Sequence, residues 1–430
     1  MIEDHSRAGG GTPGAARLGR YRWVIVALLF AATAINYVDR QMIGVLKPTL
    51  SRDLSWSEGD YAAIVFWFQV AYAIGYISFG RIVDVLGARL GYALAIVIWT
   101  VSHVAHGFAS GVVSFAAARF GLGIGESGNF PCGIRAVTDW FPQRERALAI
   151  GVFNAGANVG AIITPLLVPV LVVAFGWRSA FYITGILGVV WLLAWWSVYR
   201  HPGEHRRVSA GELAWIRQDV PDPARRVPWI ALIRKRETWA YALGKFLIDP
   251  IWWFYLFWLP GYLFNRYHMD LKTFGIPLAV VYLISDFGSI AGGWMSSRLI
   301  AAGRTPNFAR KATMGICAVL VIPIWATQSI DSLWGATLLI GLATAAHQAF
   351  SANLYTLPSD VFPRGAVGSV VGIGGTVGAL GGMGMALFTG YVLDSTGSYR
   401  PLFAICASAY AVALLVVHLL SPRLEAARLA

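Results

Sequence analysis

Charged residues are scarce in this sequence. They make up 13% of its 430 residues, whereas an ordinary soluble domain has about 25%. Apolar residues make up 57% and fall into twelve runs, each of about 20 residues and so long enough to cross about 30 Å of hydrocarbon. A soluble protein would have to bury twelve helices that lack a polar face, so this composition argues against the soluble class.

Cysteine is also scarce, and the motifs of the common enzyme classes are missing. Cys132, Cys317 and Cys406 are an odd number without C-x-x-C spacing, which is typical of small buried apolar residues rather than of a metal site or a disulfide framework. No G-x-S-x-G, H-E-x-x-H or P-loop pattern appears. We therefore expect no enzyme activity, no metal and no cofactor.

The net charge of +12 has a distribution that does not suit nucleic acid binding. Of the 34 Lys and Arg residues, 25 fall on one side of the predicted membrane, six on the other and three within the apolar runs. In membrane proteins the cytoplasmic loops carry the excess of Lys and Arg. The side with 25 of these residues, which includes both termini, is therefore predicted to be the cytoplasmic side. The polar, Gly-rich residues 1–20 are typical of a disordered tail.

The longest polar segment, residues 200–236, divides the apolar runs into six and six. We interpret it as a cytoplasmic linker with a short helix at 209–219, between bundles at 21–199 and 237–421, with a second tail at 422–430. Residues 140–165 resemble residues 361–383, since both have Phe-Pro followed by a Gly-rich helix. These patterns predict an all-α membrane protein with twelve transmembrane helices in two six-helix bundles, and a binding site between the bundles.

A few charged residues lie inside the apolar runs, where each carries a cost of about 2.5–3.5 kcal/mol on insertion scales. The adjacent Asp39 and Arg40 point about 100° apart on a helix, so one can face a cavity while the other faces a neighbouring helix. Buried salt bridges that fix helix packing are the alternative for every member of this set. The candidates are Asp39, Arg40, Arg119, Glu126, Lys245, Asp249 and Asp286.

The spacing of these charges favours an anion site that also handles protons. Arg119 and Glu126 are seven residues apart and share a helix face, and Lys245 and Asp249 are four apart and can pair. Guanidinium groups bind carboxylates in a forked geometry. A carboxyl group in apolar surroundings can accept and release a proton. The combination of two guanidinium groups and a carboxyl group within the apolar runs therefore predicts a proton-coupled carrier of an anion. These groups belong to Arg40, Arg119 and Glu126.

Further polar and aromatic side chains within the runs suit a hydroxylated ligand. Their alternative role is to join helices or to anchor them at the membrane interface. Gln69 and Trp253 belong to this wider group. The predicted substrate-binding residues, besides Arg40 and Arg119, are Tyr72, Asn154, Asn158, Trp252, Tyr282, His347, Gln348 and Asn353.

Residues 79–91, "FGRIVDVLGARLG", form a short turn between the second and third runs. Its Gly80, Asp84, Gly87 and Arg89 resemble the loop signature of the major facilitator superfamily, and we assign Asp84 and Arg89 to gating. With "NYVDR", "ARFGLGIGESGNFP" and "AHQAFSANLYTLPSDVFPR", the chain resembles the anion:cation symporter family of that superfamily. It is most similar to bacterial hexuronate transporters.

This resemblance implies a monomeric carrier, surrounded by lipid in the bacterial inner membrane, that imports glucuronate and galacturonate with protons by alternating access. It implies proton coupling at Asp39 and Glu126, binding of the substrate carboxylate by Arg40, and a place for Tyr72 in the site wall. Other organic anions, such as galactonate, glucarate or an aromatic acid, remain open as substrates. A drug/proton antiporter is a weaker alternative, because the G-x-x-x-G-P-x-x-G-G stretch typical of antiporters is missing. A sugar-acid sensor would need a sizeable soluble domain.

Overall fold

The computed structural model describes residues 19–218, 228–269, 273, 275–362, 364–425 and 427, and throughout that part the secondary structure is helical. Of the predicted tail at 1–20, residues 1–18 lie outside the described residues, as does the side chain of Asp84. Nine helices in the described part are long and apolar enough to cross a membrane.

Three features bring these nine helices to the twelve predicted crossings. The stretch Gln143–Val198 folds back at Gly176, whose φ of 79° is in the left-handed region, and so crosses twice. One further crossing is split into two helices of 16 and 12 residues. Another contains Lys245 and Asp249, which lower its mean hydropathy.

The twelve crossings are labelled in chain order. They are α1 (Tyr21–Leu54), α2 (Glu58–Val83), α3 (Val85–Phe108), α4 (Val112–Ser127 and Asn129–Trp140), α5 and α6 (the two arms of Gln143–Val198), α7 (Arg236–Phe257 and Leu259–Arg266), α8 (Gly275–Ala301), α9 (Pro306–Ser329), α10 (Leu333–Val361), α11 (Arg364–Thr396) and α12 (Arg400–Leu420).

Local sequence explains where several of these helices begin. The Ser57 hydroxyl accepts a hydrogen bond from the backbone N–H of Asp60, and the Asp60 carboxylate accepts one from the backbone N–H of Ser57. The two bonds form a capping box at the start of α2. Ser332 caps α10 in the same sense, and Thr305 followed by Pro306 starts α9. Gly87, with φ 73°, makes the turn between α2 and α3.

Pairs of glycines bring helices into backbone contact within each bundle. In the first half, Gly156 of α5 lies against the carbonyl of Phe30 on α1, and Gly160 lies against the carbonyl of Ala34. These contacts bring the backbones of α1 and α5 close together. In the second half, Gly288 and Gly292 of α8 lie in the same way against Ala345 and Ala349 of α10.

The predicted linker helix is present as Ala210–Ile216, and it is fastened to the start of α1. Glu212 accepts hydrogen bonds from the backbone N–H groups of Tyr21 (3.2 Å) and Arg22 (3.0 Å), and it forms an ion pair with the Arg22 guanidinium at 3.3 Å. A carboxylate at a helix N-terminus satisfies free N–H groups and complements the helix dipole.

The two bundles touch at the ends of their helices that are remote from the termini. Asp394 of α11 accepts hydrogen bonds from the backbone N–H groups of Glu58 (2.9 Å) and Gly59 (2.6 Å) at the start of α2. The Tyr61 hydroxyl donates to the carbonyl of Phe257 on α7 at 2.9 Å.

The opposite halves of the interfacial helices contain glycines that face open space. A Cβ atom built at Gly80, Gly151, Gly293 or Gly372 would meet no atom within 4 Å. The hydrogen bonds between the bundles named above lie at the end remote from the termini.

Candidate functional site

Arg40 occupies the centre of the interface between the two bundles. Its Nε donates to Glu126 Oε2 of α4 at 2.8 Å, and its Nη2 donates to Asn36 Oδ1, one turn back on α1, at 3.0 Å. Arg40 is 5% exposed and Glu126 is fully buried. The second oxygen of Glu126 has no hydrogen-bond partner among the described residues. The predicted convergence of these two charges from separate helices is therefore present.

Aromatic rings surround the Arg40 guanidinium. Its Cζ atom lies 4.9 Å from the ring centroids of both Tyr37 and Tyr72, and 5.6 Å from that of Trp253. Trp253 belongs to α7 of the second bundle, so this cation-π cage is built by both halves of the protein. An anion that reaches Arg40 will contact both bundles.

Arg119 lies one layer behind Arg40. Its Nη2 donates to the backbone carbonyl of Arg40 at 2.7 Å, and its Cζ lies 4.3 Å above the Phe68 ring. Arg119 is 1% exposed. This guanidinium therefore holds the α1 backbone in place and adds positive charge behind the site.

Asp39 faces away from Arg40, into the first bundle. Its Oδ1 lies 3.3 Å from His103 Nε2 on α3, and both side chains are buried. The divergence of Asp39 and Arg40 that the helix geometry predicts is confirmed.

The second bundle has its own pair of charges. Lys245 Nζ lies 2.8 Å from Asp249 Oδ2 and donates to the Tyr355 hydroxyl at 2.6 Å, so the predicted pairing of Lys245 with Asp249 is present. For Asp286, no described Lys, Arg or His lies within ion-pair distance.

Three of the predicted residues form an aromatic cluster in the second bundle. Trp252 stacks on His347 with ring centroids 5.2 Å apart, and the ring centroid of Tyr282 lies 6.5 Å from that of Trp252. His347 Nδ1 is 2.7 Å from the Tyr410 hydroxyl. This cluster supports α7 from behind, while the neighbouring Trp253 faces Arg40.

The predicted amide side chains divide into two groups. Asn154 is exposed, and Asn158 and Gln348 are half-buried, so all three remain open to a ligand. Asn353 is fully buried, and its Nδ2 donates to the carbonyls of Gly292 (3.1 Å) and Ala349 (2.9 Å). Asn353 thus joins α8 to α10.

The Arg89 side chain, assigned to gating, packs on α6. Its Nη2 donates to the carbonyl of Trp196 at 2.9 Å, and its guanidinium lies 4.8 Å from the Trp196 ring centroid. This contact ties the turn after α2 to the end of α6.

The structure adds site residues that the sequence analysis missed or left in the background. Asn36 precedes Arg40 by four residues, a spacing that could have indicated the contact. Gln69 is 1% exposed, neither its Oε1 nor its Nε2 has a partner among the described residues, and a side chain at Gly382 would collide with it and with Trp253. Its free amide therefore lies beside the Arg40 cage.

Comparisons with known proteins agree with this architecture. The family model "Major Facilitator Superfamily" matches residues 29–386. The hexuronate transporter of Escherichia coli K12 is 32% identical over 399 residues, which are 90% of each chain. A probable L-galactonate transporter of the same strain is 30% identical over 396 residues, 91% of this chain and 87% of that one. A crystal structure of a bacterial homologue of the human lysosomal transporter Spinster has a TM-score of 0.74 at 19% identity, and covers 94% of this chain and 97% of that one, so it has the same fold.

Proposed function

Since the chain belongs to the Major Facilitator Superfamily, and is therefore a multi-pass membrane transporter and not an enzyme, we propose that it is a proton-coupled symporter of hexuronates. In this proposal it imports glucuronate and galacturonate across the bacterial inner membrane, with both termini in the cytoplasm. The observation that carries the proposal is the buried ion pair of Arg40 with Glu126 at the interface of the bundles.

The ion pair makes the proton and the substrate depend on each other. While Glu126 is ionised it occupies the Arg40 guanidinium, and a substrate carboxylate has to compete with it. A proton on Glu126 removes that competitor, and Arg40 can then hold the substrate carboxylate. By linkage, bound substrate favours the protonated state of Glu126 to the same extent.

The charge balance of the cavity favours a substrate with one carboxylate. Lys245 is already paired with Asp249 and Tyr355, which leaves Arg40 as the cation released by protonation. The hydroxyl groups of a sugar acid suit the free amide of Gln69 and the side chains of Tyr72 and Asn154. Trp253 offers a flat apolar face for the sugar ring.

A transport assay tests the proposal directly. Purified protein in proteoliposomes, with the outside more acidic than the inside, should accumulate radiolabelled glucuronate above its external concentration. Collapse of the proton gradient should abolish the accumulation, and glucarate, which carries two carboxylates, should compete weakly. Uptake that is indifferent to the proton gradient would contradict the proposed coupling.

The contact of Asp394 with the start of α2 closes the cavity on the periplasmic side in this proposal. Asp394→Ala removes two hydrogen bonds, which for an exposed carboxylate corresponds to about 1 kcal/mol and an approximately fivefold shift toward the outward-open state. Ala62 is buried and packs against Gly390 in this contact. The Cys introduced by Ala62→Cys is therefore accessible to a label only when the contact opens. Its labelling by an impermeant maleimide from outside should accelerate about fivefold.

The native cysteines are buried and give a low background in this experiment. Asp331→Ala is the matched control, because Asp331 pairs with Arg266 of its own bundle at 2.9 Å. Equal labelling rates in the Asp394 and Asp331 variants would show that Asp394 does not hold the gate.

A further inference from the structure

Asp39 is the one proposed coupling acid that does not face the interface between the bundles. It is 2% exposed, and its Oδ1 lies 3.3 Å from the Nε2 atom of His103, which is fully buried on α3. A proton that serves Asp39 has to arrive through the first bundle, and His103 is the titratable side chain in its path.

The hydrogen bonds around His103 fix where its proton lies when the ring is neutral. The Thr184 hydroxyl donates to the carbonyl of Ala180 at 2.8 Å, so it can only accept from His103 Nε2, which is also 2.8 Å away. Nε2 therefore carries a hydrogen and donates it to Thr184. Asp39 Oδ1 lies 3.3 Å from the same nitrogen but accepts no hydrogen bond among the described residues. The other nitrogen, Nδ1, has a free lone pair, and it is buried without a hydrogen-bond partner among the described residues.

A second buried histidine follows one turn later. His106 Nδ1 lies 2.8 Å from the carbonyl of Ser102, which can only accept, so Nδ1 carries the hydrogen. Its Nε2 is again buried without a partner in the described part of the chain. The ring centroids of the two histidines are 6.3 Å apart. Two residues further on, Phe108 is 76% exposed at the end of α3 remote from the termini.

We propose that His103 transfers protons to Asp39 from the membrane face opposite the termini, with His106 as the outer member of the relay. An arriving proton forms an N–H bond at His103 Nδ1. The Nε2–H bond then breaks, and its proton forms an O–H bond on Asp39. The ring is left neutral with hydrogen on Nδ1. It returns to its first tautomer when water accepts the proton from Nδ1 and water supplies a proton to Nε2. This inference rests on the proposed function, because it supplies the coupling acid Asp39.

The charges around His103 favour this direction of transfer. The titratable and charged groups that face it are Asp39 on α1, His106 on its own helix and Arg119 on α4. A proton on the imidazole is repelled by Arg119 and attracted by the Asp39 carboxylate, so it passes on to Asp39.

The relay is interrupted in this state of the protein. No hydrogen bond joins the two imidazole rings, although His106 Nδ1 lies 3.3 Å from the backbone carbonyl of His103. Both free nitrogens lack a hydrogen-bond partner among the described residues. The bundles are in contact at the end remote from the termini at the same time. A continuous proton path to the other side would leak, so the break is what coupling requires.

The variant His103→Gln separates a proton relay from a structural role. Gln keeps an N–H donor for Thr184 and Asp39 but cannot accept a proton on one side and release one on the other. In proteoliposomes, net glucuronate uptake driven by a proton gradient should fall about tenfold or more. Exchange of internal for external glucuronate, which needs no net proton movement, should stay within about twofold of the wild type. His418→Gln, on the exposed end of α12, should change neither rate.

Each other outcome has a definite meaning. Equal net uptake in His103→Gln and wild type overturns the relay and leaves the proposed function intact. Loss of exchange together with net uptake shows a structural role and also overturns it. A wild type without proton-driven uptake refutes the proposed function itself. If His103→Gln does not reach the membrane, net uptake and exchange are measured for His106→Gln instead. We expect the same loss of net uptake and the same unchanged exchange.

Discussion

Glu126→Gln should abolish the accumulation of glucuronate against its gradient and leave exchange intact. Gln has the size of the protonated acid and cannot ionise, so Arg40 stays free for the substrate at every pH. The wild type should bind substrate more weakly as pH rises, by up to about tenfold per pH unit for one coupled proton. The variant should lose the part of this pH dependence that arises from Glu126.

Two measurements check this result: concentrative uptake in proteoliposomes, and substrate affinity by titration calorimetry at several pH values. Glu237→Gln is the matched control, because Glu237 pairs with Arg236 at the start of α7 and lies away from the site. If the Glu126 variant still concentrates substrate, another group carries the proton.

Arg40→Lys should weaken glucuronate binding about 100-fold. Lysine keeps the positive charge but loses the planar fork that holds a carboxylate with two hydrogen bonds, and it loses the fit to the rings of Tyr37, Tyr72 and Trp253. Two hydrogen bonds to a charged group amount to about 3 kcal/mol or more, which corresponds to this factor.

The loss of glucuronate affinity in Arg40→Lys can be measured on the purified protein by thermal stabilisation and by calorimetry. Arg135→Lys is the control, since Arg135 forms a surface pair with Asp139 at 3.1 Å. An affinity within about threefold of the wild type would place the carboxylate elsewhere.

The sequence was sufficient to predict the twelve crossings and the pairing of Lys245 with Asp249. The crossings follow from the length of apolar runs, and the pairing follows from spacing along one helix. The rarity of charge in such runs also made the few charged residues conspicuous. These signals are local or compositional, so one sequence is enough to see them.

What the sequence could not supply is how each helix is rotated against its neighbours. Trp252 and Trp253 are adjacent and chemically identical, yet Trp253 faces Arg40 while Trp252 stacks on His347. Arg119 has the same chemistry as Arg40 but lies behind it, bound to a backbone carbonyl. Asn353 looked like a ligand-binding amide and instead joins two helices.

His103 was missed for a related reason. The spacing of His103 and His106 shows only that they are neighbours on one helix, and the partner of His103, Asp39, is 64 residues away in sequence. Only the packing of α3 against α1 brings the two side chains together.

The backbone contacts at Gly156 and Gly160, and those at Gly288 and Gly292, have a mechanical consequence. A helix seated directly on its neighbour's backbone has no intervening side chain that can yield. We therefore expect α1 with α5, and α8 with α10, to move as rigid pairs. If the bundles reorient in the proposed transport cycle, the surrounding lipid has to adapt to these rigid pairs, and we expect turnover to depend on bilayer thickness.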